Sequence, residues 1–383
     1  MVNWKKIGEI AIYRRGSFPQ PYGKSEWYGG EGAMPFVQVA DVEDSGMKLK
    51  DKTKQFISVL AMPKSVFVPS GSVIVTLQGS IGKVAITQYD TYVDRTLGIF
   101  EGFKIDINKK YFAHQLECVF LEKKKKARGG TIKTITKEEF SNFLIPVPSI
   151  HEQNRLVDTL ETFSSSIENL KEQIAQRRKQ YEHYRDQLLD LEGKDGVKIK
   201  KLGNICGIFD GTHQTPKYTE SGIKFVSVEN ITNLYASNKY ISDDDYEKNY
   251  KIKPQRGDVL MTRIGDVGRC AVINSDEPIA YYVSLSLLRP QKTFVISSFV
   301  KYLLESQTGK KEIRKRTLLT AVPLKINLGE IGKLLLPIPS LSMQHRIVDI
   351  LDNFEANIQN LEAQLSLREK QYEYYRNKLL TFE

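Results

Sequence analysis

Apolar residues recur at alternating spacings of four and three positions in two long stretches of the chain. This alternation, sustained over about five heptads in each stretch, predicts long helices that pair along a coiled-coil seam. A single amphipathic helix against a globular core is the alternative, but two long stretches in matched register favour pairing with each other. The predicted seam positions are Leu156, Leu160, Phe163, Ile167, Leu170, Ile174, Tyr181, Tyr184 and Leu188 in the first stretch, and Ile347, Leu351, Phe354, Ile358, Leu361, Leu365, Tyr372, Tyr375 and Leu379 in the second.

The two stretches are copies of each other. Each opens with a Pro-x-Pro-Ser sequence, which ends a strand and allows a helix to begin. Leu144–Leu189 and Leu335–Leu380 align without gaps, and half of the aligned positions are identical. Each seam is interrupted once, at Arg177 and at Arg368. Because the spacing between the copies far exceeds the period of a solenoid repeat, the pattern indicates a duplicated domain.

The segments before the helices repeat more faintly, for example as GSVIVTLQGSIGKVAI and GDVLMTRIGDVGRCAV. They predict short β-branched strands joined by Gly-rich turns. The expected fold class is therefore α/β, with mixed α+β heads and long antiparallel coiled-coil helices, internally duplicated and pseudo-twofold. We expect the first head at 1–143, the first long helix at 144–192, the second head at 193–334 and the second long helix at 335–383.

Charge and composition narrow the class of protein. The chain has 383 residues and a formal net charge of +10, which favours a polyanionic partner. No stretch approaches the roughly 20 apolar residues of a membrane span, and the N-terminal sequence lacks a signal-peptide core, so we expect a cytoplasmic protein. Cys118, Cys206 and Cys270 are far apart and odd in number, so we expect neither a disulfide framework nor a structural zinc site.

Catalytic signatures are missing from the sequence. It contains no phosphate-binding loop, no HExxH, no GxSxG, and no Pro-Pro pair of the kind amino-methyltransferases use. The five histidines show no metal-ligand spacing. The absence of these motifs favours a binding protein over a single-chain methyltransferase. A coiled-coil adaptor whose heads bind proteins rather than DNA remains an alternative.

The repeated phrases resemble a known family. Helices that open with IPVPSIHEQNRLVDTL and end with RRKQYEHYRDQLL, alternating with heads that carry EWYGG, MPFVQVADV and DGTHQTPKY, are similar to the specificity (S) subunits of type I restriction–modification enzymes. The resemblance covers nearly the whole chain. It implies a subunit without catalysis, whose two heads each read one half of a split sequence in double-stranded DNA.

The same resemblance implies partners and cofactors. The paired helices would set the spacing between the heads and dock two modification (M) subunits, which use S-adenosylmethionine. Restriction (R) subunits, which use ATP and Mg²⁺, would join that core. No cofactor is expected in this chain itself.

Basic residues cluster at equivalent places in the two copies, each cluster just before a loop. A charge run is often only solvated surface, but two runs at the same place favour contact with phosphates. The candidates are Lys123, Lys124, Lys125 and Arg128 in the first copy, and Arg314, Lys315 and Arg316 in the second.

The Gly-flanked turns TLQGSIGK and TRIGDVGR differ in their polar residues. Glutamine suits adenine and arginine suits guanine in the major groove, so these turns are candidates for base reading, although ordinary hairpin turns would look the same. The turn candidates are Gln78, Ser80, Lys83, Arg263, Asp266 and Arg269. Further candidates for DNA contact are Arg14, Arg15, Lys133, Thr212, His213, Lys217 and Lys325.

Overall fold

The computed structural model describes residues 2–44, 46–126 and 135–382. The chain divides into unit 1, made of Met1–Leu170 and Gln364–Glu383, and unit 2, made of Lys171–Ala363. Each unit therefore contains a sheet-rich head together with a segment of each of the two long helices.

In unit 1, short strands form two four-stranded sheets and a two-stranded ribbon. The strands are β1 (Asn3–Lys6), β2 (Ala11–Arg15), β3 (Met34–Val37), β4 (Gln55–Ile57), β5 (Val66–Val68), β6 (Val73–Thr76), β7 (Val84–Ile86), β8 (Thr91–Val93), β9 (Leu97–Phe103) and β10 (Leu144–Val147). The helices of the head are α1 (Ile7–Ile10), α2 (Lys109–Lys126) and α3 (Lys137–Ser141). Strand order is β2-β9-β6-β7 in the antiparallel sheet and β4-β3-β8-β5 in the mixed sheet, and β1 pairs with β10.

Unit 2 repeats this plan with different lengths. Its strands are β11 (Lys198–Lys201), β12 (Cys206–Asp210), β13 (Ile223–Val226), β14 (Tyr240–Ile241), β15 (Val259–Thr262), β16 (Cys270–Val272), β17 (Ile279–Tyr281), β18 (Leu285–Pro290), β19 (Thr317–Leu318), β20 (Lys325–Ile326) and β21 (Leu335–Ile338). Its short helices are α5 (Asp243–Asn249), α6 (Ser297–Glu305), α7 (Gln307–Arg316) and α8 (Leu328–Ile331). The sheet β12-β18-β15-β16 has the same topology as β2-β9-β6-β7 of unit 1, and β11 pairs with β21 as β1 does with β10.

Each head buries its central strands against a helix. In unit 1, all four residues of β6 are buried, and α2 contributes Tyr111, Phe112 and Phe120 to the same apolar cluster. In unit 2, β15 is likewise buried along its length, and α6 contributes Phe299 and Leu303. Burial on both faces explains why these strands consist of continuous apolar residues rather than an alternating pattern.

The two long helices are α4 (Ile150–Leu188) and α9 (Leu341–Leu380). Within unit 1, the Phe163 ring stacks on Tyr375 with centroids 5.3 Å apart, and the Arg368 guanidinium lies 5.8 Å from the Phe163 ring centre. Within unit 2, Tyr184 stacks on Phe354 at 5.4 Å. The two stacks involve corresponding residues of the repeat, so both units use the same contact.

The direction of pairing is clear within unit 2. Arg178 forms an ion pair with Glu362, and Tyr181 donates to Glu355 three residues further along α4. The partner number falls along α9 as the residue number rises along α4, so the two helix segments are antiparallel. The predicted fold class, with mixed α/β heads and long paired antiparallel helices, is confirmed.

Candidate nucleic-acid interface

Two turns with the same backbone frame join the central strands of the heads. In unit 1, the turn between β6 and β7 is closed by the Thr76 hydroxyl, which donates to the Ser80 carbonyl at 2.6 Å and accepts from the Lys83 N–H at 2.9 Å. In unit 2, the turn between β15 and β16 is closed in the same way by Thr262, which donates to the Asp266 carbonyl and accepts from the Arg269 N–H. A buried threonine therefore fixes the shape of each turn independently of its exposed side chains.

A glycine in each turn touches the helix behind it. A Cβ atom at Gly82 would lie 2.6 Å from Cβ of Phe120, and one at Gly268 would lie 2.8 Å from Cδ1 of Ile313. Both glycines also have positive φ, at 79° and 96°. The second glycine of each turn is thus required both by backbone conformation and by close approach, and this holds the turns against α2 and α7.

In the unit 1 turn, the polar side chains have different surroundings. Ser80 is exposed and Gln78 is half-buried. Lys83 instead forms an ion pair with Asp44 and donates to the Val42 carbonyl at 3.3 Å. The hydrogen bond from Lys83 holds the pKa of the exposed Asp44 carboxyl below its usual value. Lys83 is therefore already engaged within its own head.

In the unit 2 turn, Arg263 belongs to a charged cluster. Its Nη1 donates to Oδ1 of Asp210 at 2.7 Å, and its side chain is only 13% exposed. Oδ2 of the same carboxylate lies 2.9 Å from Nε2 of His213, whose side chain is 71% exposed. Asp210 thus holds a buried guanidinium and an exposed imidazole side by side.

Two other polar side chains of this turn are exposed to solvent. Arg269 and Asp266 are both exposed and lie 3.6 Å apart as a loose ion pair. Thr212 and Lys217 belong to the loop after β12, and the backbone of Thr212 forms an isolated β-bridge with Tyr282. The turn of unit 2 and the loop after β12 therefore meet at Asp210, and they combine four of the sequence candidates, which are Arg263, His213, Asp266 and Arg269.

Asp210 is not among the residues that the sequence predicts for the site, although it links Arg263 and His213, which are. It lies 53 positions from Arg263. The corresponding residue at the end of β2 is Arg15, whose Nη2 donates to the Ile135 carbonyl at 3.0 Å, and its neighbour Arg14 pairs with Glu101 at 3.6 Å. The only sequence signal was the replacement of an arginine by an aspartate at equivalent strand ends.

The basic runs lie on the helices behind the turns. Lys123 is exposed on α2 with its Nζ 5.0 Å from the centre of the Phe143 ring. Lys315 and Arg316 pair with Glu312 and Glu330, at the C-terminal end of α7. Arg314 and Lys325 are exposed. Arg128, Lys133 and the side chains of Lys124 and Lys125 lie outside the described residues.

The part of the chain that the structure describes has neither a metal-binding cluster nor a helix that could span a membrane. No group of three or more His, Cys, Asp and Glu side chains in the described ranges is placed to hold a metal ion. In the same part of the chain, every helix is too short or too polar to cross a bilayer. Cys118, Cys206 and Cys270 are free thiols, and burial raises the pKa of Cys118 to about 11 and that of Cys206 to about 12.

A repeated head-and-helix frame with unlike polar turns defines a duplicated two-headed binding protein. A family model, described as the type I restriction modification DNA specificity domain, matches residues 1–177 and again residues 194–367. The chain therefore belongs to the DNA specificity family of type I restriction–modification systems. Members of this family recognise DNA within the restriction–modification complex, and catalysis resides in other subunits.

Curated relatives carry the same description. A putative type I restriction enzyme specificity subunit of Haemophilus influenzae is 25% identical over 300 residues, which cover 73% of this chain and 74% of that protein. The type I restriction enzyme EcoBI specificity subunit of Escherichia coli is 20% identical over 384 residues, which cover 90% of this chain and 78% of that protein.

Solved structures share the fold. The S subunit of a type I restriction–modification system from M. genitalium matches with a TM-score of 0.58 and 16% identity, covering 100% of this chain and 97% of that one. A chain from a study of complex assembly and conformational transition in the type I R-M system matches with a TM-score of 0.65 and 18% identity, covering 99% and 96%.

Proposed function

We propose that each head reads one half of a split sequence in double-stranded DNA, and that the chain thereby directs adenine methylation and cleavage by partner subunits. The observation that carries this proposal is the pair of threonine-closed turns, which share one backbone frame and differ in their side chains. Two readers of different half-sites need the same geometry with different chemistry, because base contacts specify while phosphate contacts only position.

The turns differ in the side chains at corresponding positions of the shared frame, and the first of these in unit 1, Leu77, is buried. Where unit 1 has an apolar, a small polar and a lysine side chain, unit 2 has two arginines and an aspartate. Arginine can bind the O6 and N7 acceptors of guanine, whereas a carboxylate accepts from the cytosine amino group. The corresponding pairs are Leu77 and Arg263, Ser80 and Asp266, and Lys83 and Arg269.

Two copies of an M subunit are the proposed protein partners. Trp4 and Leu144 share one face of the β1–β10 ribbon, and both are about half exposed. Ile199 and Leu335 occupy the corresponding positions on the β11–β21 ribbon and are exposed to a similar degree. An apolar pair that recurs in the duplicated frame, rather than in the divergent turns, supports one copy of the same partner on each unit.

The chemistry is proposed to reside in those partners. M subunits would supply S-adenosylmethionine-dependent methylation, and R subunits would supply cleavage that depends on ATP and Mg²⁺. The M subunit must take the target adenine out of the base stack, because its amino group is otherwise unreachable. We place the assembly in the cytoplasm, where it meets DNA.

Exchange of one head tests the split-site reading. When residues 1–143 are replaced by the head of another specificity subunit, methylation in a host that carries the cognate M subunit should shift in one half-site only. The other half-site should stay the same, because its reader is unchanged. Mapping of methylated adenines across the host genome measures both half-sites at once.

Exchange of residues 193–334 is the matched control, and it should change the opposite half-site. A change in both half-sites after a single exchange, or in neither, would contradict the assignment of one head to one half-site. If the chain with its M subunit is indifferent to DNA, the adaptor alternative is favoured instead.

A further inference from the structure

The hairpin formed by β19 and β20 of unit 2 presents apolar side chains to solvent. Val322 at its tip is 99% exposed, and Leu319 is 57% exposed. Leu318 on β19 and Leu324, the residue before β20, are also exposed. Single exposed apolar residues are ordinary on a protein surface, whereas four within seven consecutive positions concentrate exposed apolar area on one hairpin, and such concentrations often mark binding sites.

The hairpin is anchored at its base. Ile326 is fully buried in the core of unit 2, and its N–H donates to the Arg263 carbonyl at 2.9 Å. The Gly265 N–H donates to the Leu324 carbonyl at 2.8 Å, and Lys325 forms a bridge with Ile264. These bonds join the hairpin to the Arg263–Arg269 turn, so the apolar tip and the candidate reading turn belong to one framework.

Basic residues lie on the elements that adjoin the hairpin. Arg314 and Lys315 lie on the last turn of α7, which leads directly into β19, and both are exposed. Lys325 follows the tip on β20, and Arg269 lies on the turn that the hairpin joins. Arg314 and Lys325 are exposed, whereas Lys315 pairs with Glu312 and Arg269 with Asp266. An exposed apolar tip on a hairpin that also carries exposed cations fits a polyanion that displays small apolar groups, and this describes the major groove of duplex DNA, where each thymine exposes its C5-methyl group.

We propose that the 317–326 hairpin reads thymine by apolar contact between Val322 and the C5-methyl group, while the joined turn reads neighbouring bases by hydrogen bonds. This inference rests on the proposed DNA-reading function of unit 2. The side chain of valine is short and branched, which suits contact with a methyl group at the edge of a base. It is too short to separate stacked base pairs. The methyl group is the chemical feature that distinguishes thymine from uracil. The contact can therefore be removed in the DNA by deoxyuridine or in the protein by a substitution of Val322.

The test uses the complex of this chain with its M subunit. Methylation mapping, combined with head exchange, first identifies the half-site that unit 2 reads. Each thymine of that half-site is then replaced singly by deoxyuridine, which keeps base pairing and removes only the methyl group. Competition binding at fixed salt compares the unmodified and the substituted duplexes.

Deoxyuridine at one or two positions should weaken binding by about three- to tenfold, because burial of one methyl group is lost. Val322→Ala should weaken binding to the unmodified duplex by a similar factor. The variant should then be insensitive to deoxyuridine at the same positions, because both changes remove one contact. Val59→Ala, the same substitution at an exposed valine of unit 1, is the control and should leave the deoxyuridine effect intact.

Three results would overturn the inference. Wild-type binding could be indifferent to deoxyuridine at every position of the half-site. Val322→Ala could weaken binding while the deoxyuridine effect stays unchanged. Val322→Ala could instead reduce co-purification of the M subunit without any change in deoxyuridine sensitivity, which would make the hairpin a protein contact. Loss of all sequence selectivity in the wild-type complex is a distinct result, since it would contradict the proposed function as well.

Discussion

His114 of α2 is a buried imidazole that lies in a positive environment. It is only 3% exposed, and its Nδ1 has no hydrogen-bond partner among the described residues. Burial, with smaller contributions from Arg376 and Lys110, lowers the pKa of His114 from 6.5 to about 4. The folded state therefore keeps this histidine neutral at pH values where an unfolded chain would protonate it.

The stability of the chain should fall as the pH drops through this interval. Between pH 6.5 and about 4 the unfolded chain binds a proton at His114 and the folded chain does not, so the free energy of unfolding rises with pH. Over the whole interval, this shift in the pKa of His114 changes the free energy of unfolding by about 3 kcal/mol. His114→Gln should remove this part of the pH dependence, as measured by urea unfolding at pH 7 and at pH 4.5.

His151 is exposed on α4, so His151→Gln is the matched control and should keep the wild-type slope between the two pH values. An identical pH dependence in His114→Gln and in wild type would show that His114 does not titrate differently in the folded and unfolded chain.

The identity of a candidate base-reading residue does not reveal which other side chains it contacts in the folded protein. Arg263 and Lys83 were both proposed as DNA contacts because of their charge and their place in a Gly-flanked turn. In the structure Arg263 is held by Asp210 and Lys83 by Asp44. Their role in DNA binding stays a prediction. An acidic partner that is distant in sequence cannot be inferred from the turn itself, because it depends on which strands become neighbours.

At the scale of the element, the two threonine-closed turns share a backbone frame and differ in their side chains. The second glycine of each turn contacts a helix, whereas Gly265, the first glycine of the unit 2 turn, has positive φ and open space around it. Gly265 is therefore required only by its backbone conformation, whereas Gly268 is required both by its backbone conformation and by its packing against α7.

Alanine at these two positions should have unequal effects on stability. Gly265→Ala should cost about 1 kcal/mol, because only the positive φ is unfavourable for an L-residue. Gly268→Ala should cost about 2–4 kcal/mol, because its Cβ would also lie 2.8 Å from Cδ1 of Ile313 on α7. Urea unfolding of the two variants beside wild type measures the difference. Equal losses would mean that α7 yields to the added methyl group without cost.

The two long helices could be predicted from the sequence alone. The sustained period of four and three residues predicted two long helices with Phe163, Tyr184, Phe354 and Tyr375 among the seam positions. The structure supplied the stacked pairs Phe163–Tyr375 and Tyr184–Phe354. The hairpin of β19 and β20 was not predicted in this form. The sequence suggested only that Lys325 contacts DNA, and the exposure of Val322 was not predicted.

At the scale of the whole molecule, the net charge of +10 favours binding to a polyanion. Affinity that depends on phosphate contacts should fall as salt rises, because each contact releases a counterion from the duplex. Charge on the heads and charge on the long helices contribute equally to the total, but only residues at the DNA surface should contribute to the salt slope.

Arg314→Ala should lower the slope of log affinity against log salt by about 0.9, and it should weaken cognate and non-cognate DNA alike. Titration of the complex with its M subunit at several salt concentrations measures both effects. Arg346→Ala is the control, since it removes the same charge from an exposed position on α9 and should leave the slope unchanged. If both variants lower the slope equally, then overall charge rather than a local contact governs the salt dependence.

The sequence by itself determined the duplication, the fold class, the long antiparallel helices and the family, because periodicity and repeated phrases are local properties that need no partner. The boundaries of the heads and the DNA contacts remain predictions. Only the tertiary structure decided that Asp210 joins Arg263 to His213, that Lys83 pairs with Asp44, and that an apolar hairpin is hydrogen-bonded to the Arg263–Arg269 turn. These arrangements depend on which distant strands and loops pack together, and packing is settled by the whole core rather than by any segment.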